Sequence, residues 1–177
     1  MFIESNAYLY LDELQNNWSV VLAELQALSQ TYFVEWPERD IYSGNWRVFA
    51  LFRLGVSFED NVKACPETAR MLQEVPGLVN AGFSSLDPGV YIGPHVGYTR
   101  QVLRCHLGLI APENCGIRVG KEVRSWSPGS CFVFDDTQEH EAWNQSTSQR
   151  VVLLFDFKRD PEMELTEFPD DLADYKL

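Results

Sequence analysis

The chain has 177 residues, of which 45% are hydrophobic and 13% aromatic, and its formal net charge is −12. This length suits one domain with a single core, and the aromatic content is typical of a packed globular protein rather than a disordered chain. The acidic balance disfavours phosphate backbones and anionic lipid surfaces as partners, because like charges repel. We therefore expect one globular domain that binds neither nucleic acid nor membranes.

The sequence also bears on location and redox state. No apolar run approaches the roughly 20 residues that span a bilayer, and the start MFIESNAYLY lacks the cationic and apolar regions of a secretory signal. Four widely spaced cysteines form no C-x-x-C pair, which favours buried free thiols over a zinc ribbon or a disulfide framework. Together these features predict a soluble, cytoplasmic protein.

The first 78 residues are expected to be mostly helical. Apolar residues recur every three or four positions over 11–32, the pattern of an amphipathic helix. The run RVFALFRL at 47–54 predicts a strand. A second helix is predicted at 66–75, because a proline opens it and Pro76-Gly77 follows it.

Short apolar runs separated by turn signals occupy residues 79–158. Examples are VYIG, IRVG, CFVF and RVVLLFDF, with DPG, APENCG and SPGS between such runs. This alternation predicts a mainly β, antiparallel core of the jelly-roll type, with the N-terminal helices packed outside. The acidic run that begins at Asp156 is expected to be solvated, and 159–177 to form an acidic tail.

Two of the three histidines lie where predicted strands meet loops. His95 stands in PHVG, and His140 follows CFVF and a pair of aspartates. A jelly roll brings strand ends together at an open mouth, where imidazoles suit iron, zinc, copper or nickel. By themselves the two histidines are equally compatible with ordinary hydrogen-bonded or surface positions. An iron site of two histidines and one carboxylate would usually place an acid where Gly97 stands.

Three other polar residues are candidates for ligand binding. Arg150 opens the apolar run RVVLLFDF, and a buried guanidinium needs an anion, which a ligand carboxylate could supply. An exposed arginine at the strand start is the alternative. Arg104 and His106 fall on one face of the predicted strand VLRCHLGLI, opposite its apolar residues. That face would line a site or meet solvent.

These residues stand in blocks that resemble the aspartyl/asparaginyl β-hydroxylase family of iron- and 2-oxoglutarate-dependent oxygenases. The resemblance covers roughly residues 83–160 and rests on PHVGYT, RCHLGL and FDDTQEHEAW, in this order. It implies a single oxygenase domain over residues 1–177, with a double-stranded β-helix (cupin-like) core. It also implies iron(II), 2-oxoglutarate and O2 as cofactors.

The resemblance gives a reason for the glycine at position 97. It implies that His95 and His140 bind the iron, and that water takes the place of the carboxylate that most such oxygenases carry two residues after the first histidine. Asp136 is implied to lie close to that water, where it would help retain the metal. Gly97 is also compatible with a halogenase, because a halide ion can occupy the position of the missing carboxylate.

For 2-oxoglutarate, the resemblance implies that Arg150 pairs with its distal carboxylate and that Ser84, Arg104 and His106 help to hold it. The implied reaction couples hydroxylation of a substrate to decarboxylation of 2-oxoglutarate to succinate. We expect the substrate to be an amino acid related to Asp or Asn, as a small molecule, in a peptide or on a carrier. A cupin-like metal-binding protein or non-redox isomerase, with a metal on all three histidines, stays as the alternative.

Overall fold

The computed structural model describes residues 1–166; the rest of the predicted acidic tail, 167–177, lies outside the described residues. The α-helices of the described part are α1 (Leu11–Asn16), α2 (Trp18–Ala27), α3 (Glu59–Ala64) and α4 (Pro66–Gln73). Its strands are β1 (Phe2–Ile3), β2 (Val34–Glu35), β3 (Tyr42–Ser43), β4 (Trp46–Arg53), β5 (Val56–Ser57), β6 (Leu78–Leu86), β7 (Tyr91–His95), β8 (Val102–Ile110), β9 (Cys115–Val119), β10 (Glu122–Arg124), β11 (Cys131–Phe134), β12 (His140–Asn144) and β13 (Arg150–Lys158).

The strands form two antiparallel sheets. The larger has the order β1-β11-β8-β13-β6-β4-β2, with β5 paired to β4, and the smaller has the order β10-β9-β12-β7-β3. Strands that are distant in sequence therefore lie side by side: β13 pairs with both β8 and β6, and β12 pairs with both β9 and β7. This interleaving is a double-stranded β-helix, as the sequence predicts.

Each face of the large sheet is buried against a different layer. Side chains alternate along a strand, so neighbouring residues of β13 serve opposite faces. Leu153 and Phe155 join a cluster that includes Leu14 and Leu72 of the N-terminal helices. Val152 and Leu154 instead join a cluster between the two sheets. The helices thus pack outside the β core, and the site lies between the sheets.

The N-terminal part departs from its predicted outline. The helix expected over 11–32 is interrupted at Asn17 and ends at Ala27, after which Leu28 has an extended backbone. Asparagine is a poor interior helix residue, because its side chain competes for backbone hydrogen bonds; here Asn17 Nδ2 donates to Glu13 O. Strand β4 pairs with β6 in the large sheet, so the expected division at residue 79 does not separate helices from sheet.

The structure bears on the predicted state of the cysteines and on membrane insertion. All four cysteines are free and buried, as predicted. No helix within residues 1–166 is long and apolar enough to cross a membrane. The cytoplasmic location stays a prediction.

Replacing Leu107 by alanine should lower the free energy of unfolding by about 2–5 kcal/mol, because it leaves a cavity in the cluster under the helices. Leu107 lies on β8 and is fully buried. Urea unfolding followed by circular dichroism measures the change. Val123→Ala on β10, where the side chain is 60% exposed, is the control and should stay within roughly 0.5 kcal/mol of the parent chain. Equal effects would contradict the assigned layers.

Candidate active site

A cavity lies between the two sheets. Its wall contains six side chains that the sequence singles out: Ser84, His95, Arg104, His106, His140 and Arg150. They come from β6, β7, β8, β12 and β13, so the fold brings together residues that are up to 66 positions apart, as in the bond between Arg150 and Ser84. The seventh, Asp136, lies in the turn before β12, behind this wall.

The two histidines face each other across the β7–β12 pair. His140 is the register partner of His95, and their ring centroids are 4.1 Å apart. Each Nδ1 lies next to a backbone carbonyl, 2.8 Å from Gly93 O for His95 and 2.9 Å from Gln138 O for His140. Donation of Nδ1–H to these carbonyls leaves each Nε2 with a free lone pair.

Both imidazoles are held in the neutral form that a metal requires. Burial lowers the pKa of His95, and burial together with His95 lowers the pKa of His140 to about 3. Neutral rings oriented by backbone carbonyls are the usual arrangement of metal-binding histidines, so the pair fits a divalent transition metal. Within residues 1–166 no three His, Cys, Asp or Glu side chains cluster closely enough to hold a metal, so His106 is not placed as a third ligand.

Gly97 has no space for a side chain, because the carboxylate of Asp136 occupies it. A Cβ on Gly97 would lie 2.6 Å from Asp136 Oδ1 and closer still to Oδ2, while Gly97 N donates to Asp136 O at 2.7 Å. Asp136 is 3% exposed, and its Oδ1 has no hydrogen-bond partner in the described part of the chain. Burial raises the pKa of Asp136 to about 6, although the Arg104 guanidinium opposes this shift. The acid near the histidines therefore comes from the β11–β12 turn.

Arg150 is a buried cation without an anionic partner. The residue is 2% exposed, its Nη1 donates to Ser84 O at 3.1 Å, and its guanidinium lies 4.6 Å from the centroid of the Trp126 ring. No acidic side chain of residues 1–166 pairs with it, and Nε has no acceptor there. Burial lowers the pKa of Arg150 to about 9. An unpaired buried guanidinium is unfavourable, so the cavity offers a strong site for a carboxylate.

His106 adds a second unpartnered donor to the same cavity. Trp126 Nε1 donates to His106 Nδ1 at 3.2 Å, so the ring proton resides on Nε2, which has no acceptor within residues 1–166. Burial and the neighbouring Arg150 lower the pKa of His106 well below its usual range, which keeps the ring neutral. Arg150 Nε and His106 Nε2 are thus two buried donors without acceptors on one cavity wall, and a ligand with acceptor oxygens would satisfy both.

Arg104 differs from Arg150, because its charge is already balanced. Its Nε and Nη2 donate to the two carboxylate oxygens of Asp156 at 2.8 and 3.0 Å, and Nη2 lies 3.5 Å from Asp136 Oδ2. The expectation that the acidic run is solvated from Asp156 onward is wrong at this first residue, which is 2% exposed. Strand β13 turns Asp156 inward and places it opposite Arg104 on β8.

Two tryptophans complete the wall. Trp126 lies against Arg150 and His106. Trp46 was not foreseen, since it stands in the N-terminal part; its Nε1 donates to Ser84 Oγ at 3.0 Å. Its position next to β6 depends on the β4–β6 pairing, which no local pattern reveals.

Comparisons with known proteins agree with this geometry. A family model described as aspartyl/asparaginyl beta-hydroxylase matches residues 15–160. The chain is 32% identical to human aspartyl/asparaginyl beta-hydroxylase over 152 residues, which cover 81% of this chain and 20% of that protein. It is 47% identical to an ornithine lipid ester-linked acyl 2-hydroxylase of Rhizobium tropici over 115 residues, which cover 63% of this chain and 41% of that protein.

A solved structure gives the same fold. An oxidoreductase of the 2OG-Fe(II) oxygenase family from Burkholderia pseudomallei superposes with a TM-score of 0.57 at 14% identity, over 81% of this chain and 79% of that one. The chain spans less than half the length of these two curated relatives, 41% and 20% respectively.

Replacing Gly97 by alanine should destabilise the protein by about 1–3 kcal/mol, because the new methyl group must displace the Asp136 carboxylate. The matched control is Gly93→Ala on the preceding strand β7, where a Cβ would meet Ile41 O at an ordinary 3.4 Å. Thermal unfolding of the metal-free variants measures both effects. If Gly97→Ala proved as stable as Gly93→Ala, the packing of Asp136 against Gly97 would be wrong.

Proposed function

Since the chain belongs to the aspartyl/asparaginyl β-hydroxylase family, we propose that it is an iron(II)- and 2-oxoglutarate-dependent hydroxylase. The observation that carries the proposal is the unpaired Arg150 guanidinium in the cavity that His95 and His140 also line. A dicarboxylate has one end for a metal and another for an arginine. The single pair of sheets in the described residues supports the prediction of one oxygenase domain.

His95 and His140 would hold the iron through their Nε2 atoms, since the Nδ1 atoms are engaged by carbonyls. The iron would supply the activation of O2 that hydroxylation of a carbon–hydrogen bond requires. The Asp136 carboxylate, lodged against Gly97, provides a hydrogen-bond acceptor for water at the same site. It is a positioning residue, and its unpartnered Oδ1 is the atom available for this role.

The far carboxylate of 2-oxoglutarate would pair with Arg150 and accept from His106 Nε2–H. Ser84 can add a third bond, because its Oγ accepts from Trp46 while the hydroxyl hydrogen stays available to a ligand. Arg104 contributes hydrogen bonding rather than net charge, since Asp156 already balances it. The apolar walls, among them Trp126 and Phe134, exclude water and so strengthen these bonds.

The alternatives fit the site less well. In a halogenase, the halide would occupy the place beside Gly97, where the Asp136 carboxylate would repel it once ionised. A metal site on three histidines would need His106 next to the other two, and within residues 1–166 no such cluster forms. The bonded pair of His106 and Trp126 serves the carboxylate end of the cavity instead.

Two substrate classes are candidates. An amino acid related to Asp or Asn stays our prediction from the sequence, and the name of the human relative agrees with it. The 47% identity with an acyl 2-hydroxylase favours a second candidate, a substrate that carries an acyl chain.

Replacing Arg150 by lysine should weaken 2-oxoglutarate binding at least about 30-fold, or roughly 2 kcal/mol, because lysine keeps a charge but loses the planar fork. Calorimetric titration of 2-oxoglutarate into the iron-loaded protein under nitrogen measures this directly. The matched control is Arg100→Lys, at an exposed arginine that should bind the ketoacid like the parent chain. Equal affinity in the two variants would count against the proposed binding mode.

O2-dependent release of succinate then tests the reaction itself. The parent chain should release it faster when the true substrate is added, and His95→Ala/His140→Ala should not release it at all. The substrate panel holds free Asp and Asn, peptides that contain them, carrier-bound amino acids and acyl esters. Succinate formation that survives in the double variant would refute the assignment of the two histidines.

A further inference from the structure

An arginine on the outer face of the smaller sheet contacts both residues that flank His140. Arg118 lies on β9 and is the register partner of Glu141 on β12. Its Nε donates to Glu141 Oε1, its Nη2 donates to Glu139 Oε1 at 3.0 Å, and its Nη1 donates to Gly120 O at 2.8 Å. All three guanidinium nitrogens are therefore engaged, and two of them bind the neighbours of the histidine.

These contacts lie on the side of β12 that faces away from the cavity. Side chains alternate along an extended chain, and His140 and Ala142 line the cavity, so the carboxylates of Glu139 and Glu141 point to the opposite face. Tyr91 on β7 also donates its hydroxyl to Glu141 Oε2. Glu141 is thus held from both neighbouring strands.

Backbone pairing alone does not fix β12 at this point. On the β9 side the register is continuous along the whole strand, but on the β7 side it shifts between His140 and Ala142. Gly93 and Pro94 of β7 stand there opposite Glu141 alone, and proline has no N–H to donate. A strand bends easily at such an irregularity. The direction of the His140 side chain therefore depends on contacts from the β9 side.

The hydrogen bond of the His140 ring does not replace these contacts. Its Nδ1 lies 2.9 Å from Gln138 O, which belongs to the same short segment of chain. This bond orients the ring relative to its own segment, but it does not fix that segment relative to His95 on β7. The two ring centroids are 4.1 Å apart, and a shared metal requires both Nε2 atoms at defined positions.

We propose that Arg118 is a positioning residue for His140, and that its bonds to Glu139 and Glu141 set the angle at which the imidazole meets the metal. This inference rests on the proposed function and adds a residue of the outer sheet face to its metal site. Loss of a positioning contact weakens metal binding. A charge effect has the opposite sign, because removal of a cation near a metal dication reduces repulsion and strengthens binding.

The test is the affinity of cobalt(II), followed by its visible absorption, for the full-length protein from which a chelator has removed any metal. Arg118→Gln and Arg118→Lys should both bind cobalt(II) about 10-fold or more weakly than the parent chain. Lysine keeps the charge but lacks the planar fork that binds two carboxylates. The absorption spectrum should change with the affinity, because the ligand geometry changes. Circular dichroism identifies a variant that does not fold, and the other variant then carries the test.

The matched control is Arg124→Gln on β10, which removes another partly exposed arginine, paired with Glu4 at 3.1 Å, and should bind cobalt(II) like the parent chain. Parental affinity in Arg118→Lys, or affinity above the parental value in Arg118→Gln, would overturn the inference. His95→Ala/His140→Ala tests the proposed function separately and should lose cobalt(II) binding. If it bound as tightly as the parent chain, the metal site itself would be wrong. If it lost binding while the Arg118 variants kept parental affinity, the metal site would stand and only the role of Arg118 would fall.

Discussion

The central position of strand β13 is the constraint on which the rest of the molecule depends. It pairs with β8 on one side and β6 on the other along nearly its whole length. Its odd-numbered positions, such as Leu153, fill the layer under the helices, while its even-numbered positions face the cavity. Because the side-chain period of a strand is two, a shift of one residue in this pairing would exchange core and site. Register here therefore determines both stability and chemistry.

The same strand sets the electrostatic contrast of the site. At its start Arg150 is buried without a carboxylate, and six residues later Asp156 is buried against Arg104. Arg150 therefore needs an anion from a ligand, whereas Arg104 already has one in Asp156. The two arginines thus look alike in the sequence but differ in what they can bind, and only the first can provide a net charge to a ligand.

Much of this site could be predicted from the sequence because its residues stand in short, dense blocks at strand ends, as His95 and His140 do. The alternation in VLRCHLGLI also placed Arg104 and His106 on one face correctly. The remaining features of the site depend on pairing between strands that are distant in sequence, which local patterns do not reveal. The burial of Asp156 requires a partner 52 positions away, and Trp46 reaches Ser84 only because β4 lies next to β6.

The contact between Gly97 and Asp136 has a further consequence for how such sites can diverge. A side chain at position 97 and the carboxylate of Asp136 compete for one volume, so they exclude each other. A chain that carries its acid two residues after the first histidine, and one that carries it in the β11–β12 turn, are therefore separate solutions. A change from one arrangement to the other requires substitutions at both positions. A side chain added at position 97 alone would clash with Asp136, and loss of the Asp136 carboxylate alone would leave its volume empty. In this chain, Gly97 leaves that volume to the carboxylate of Asp136.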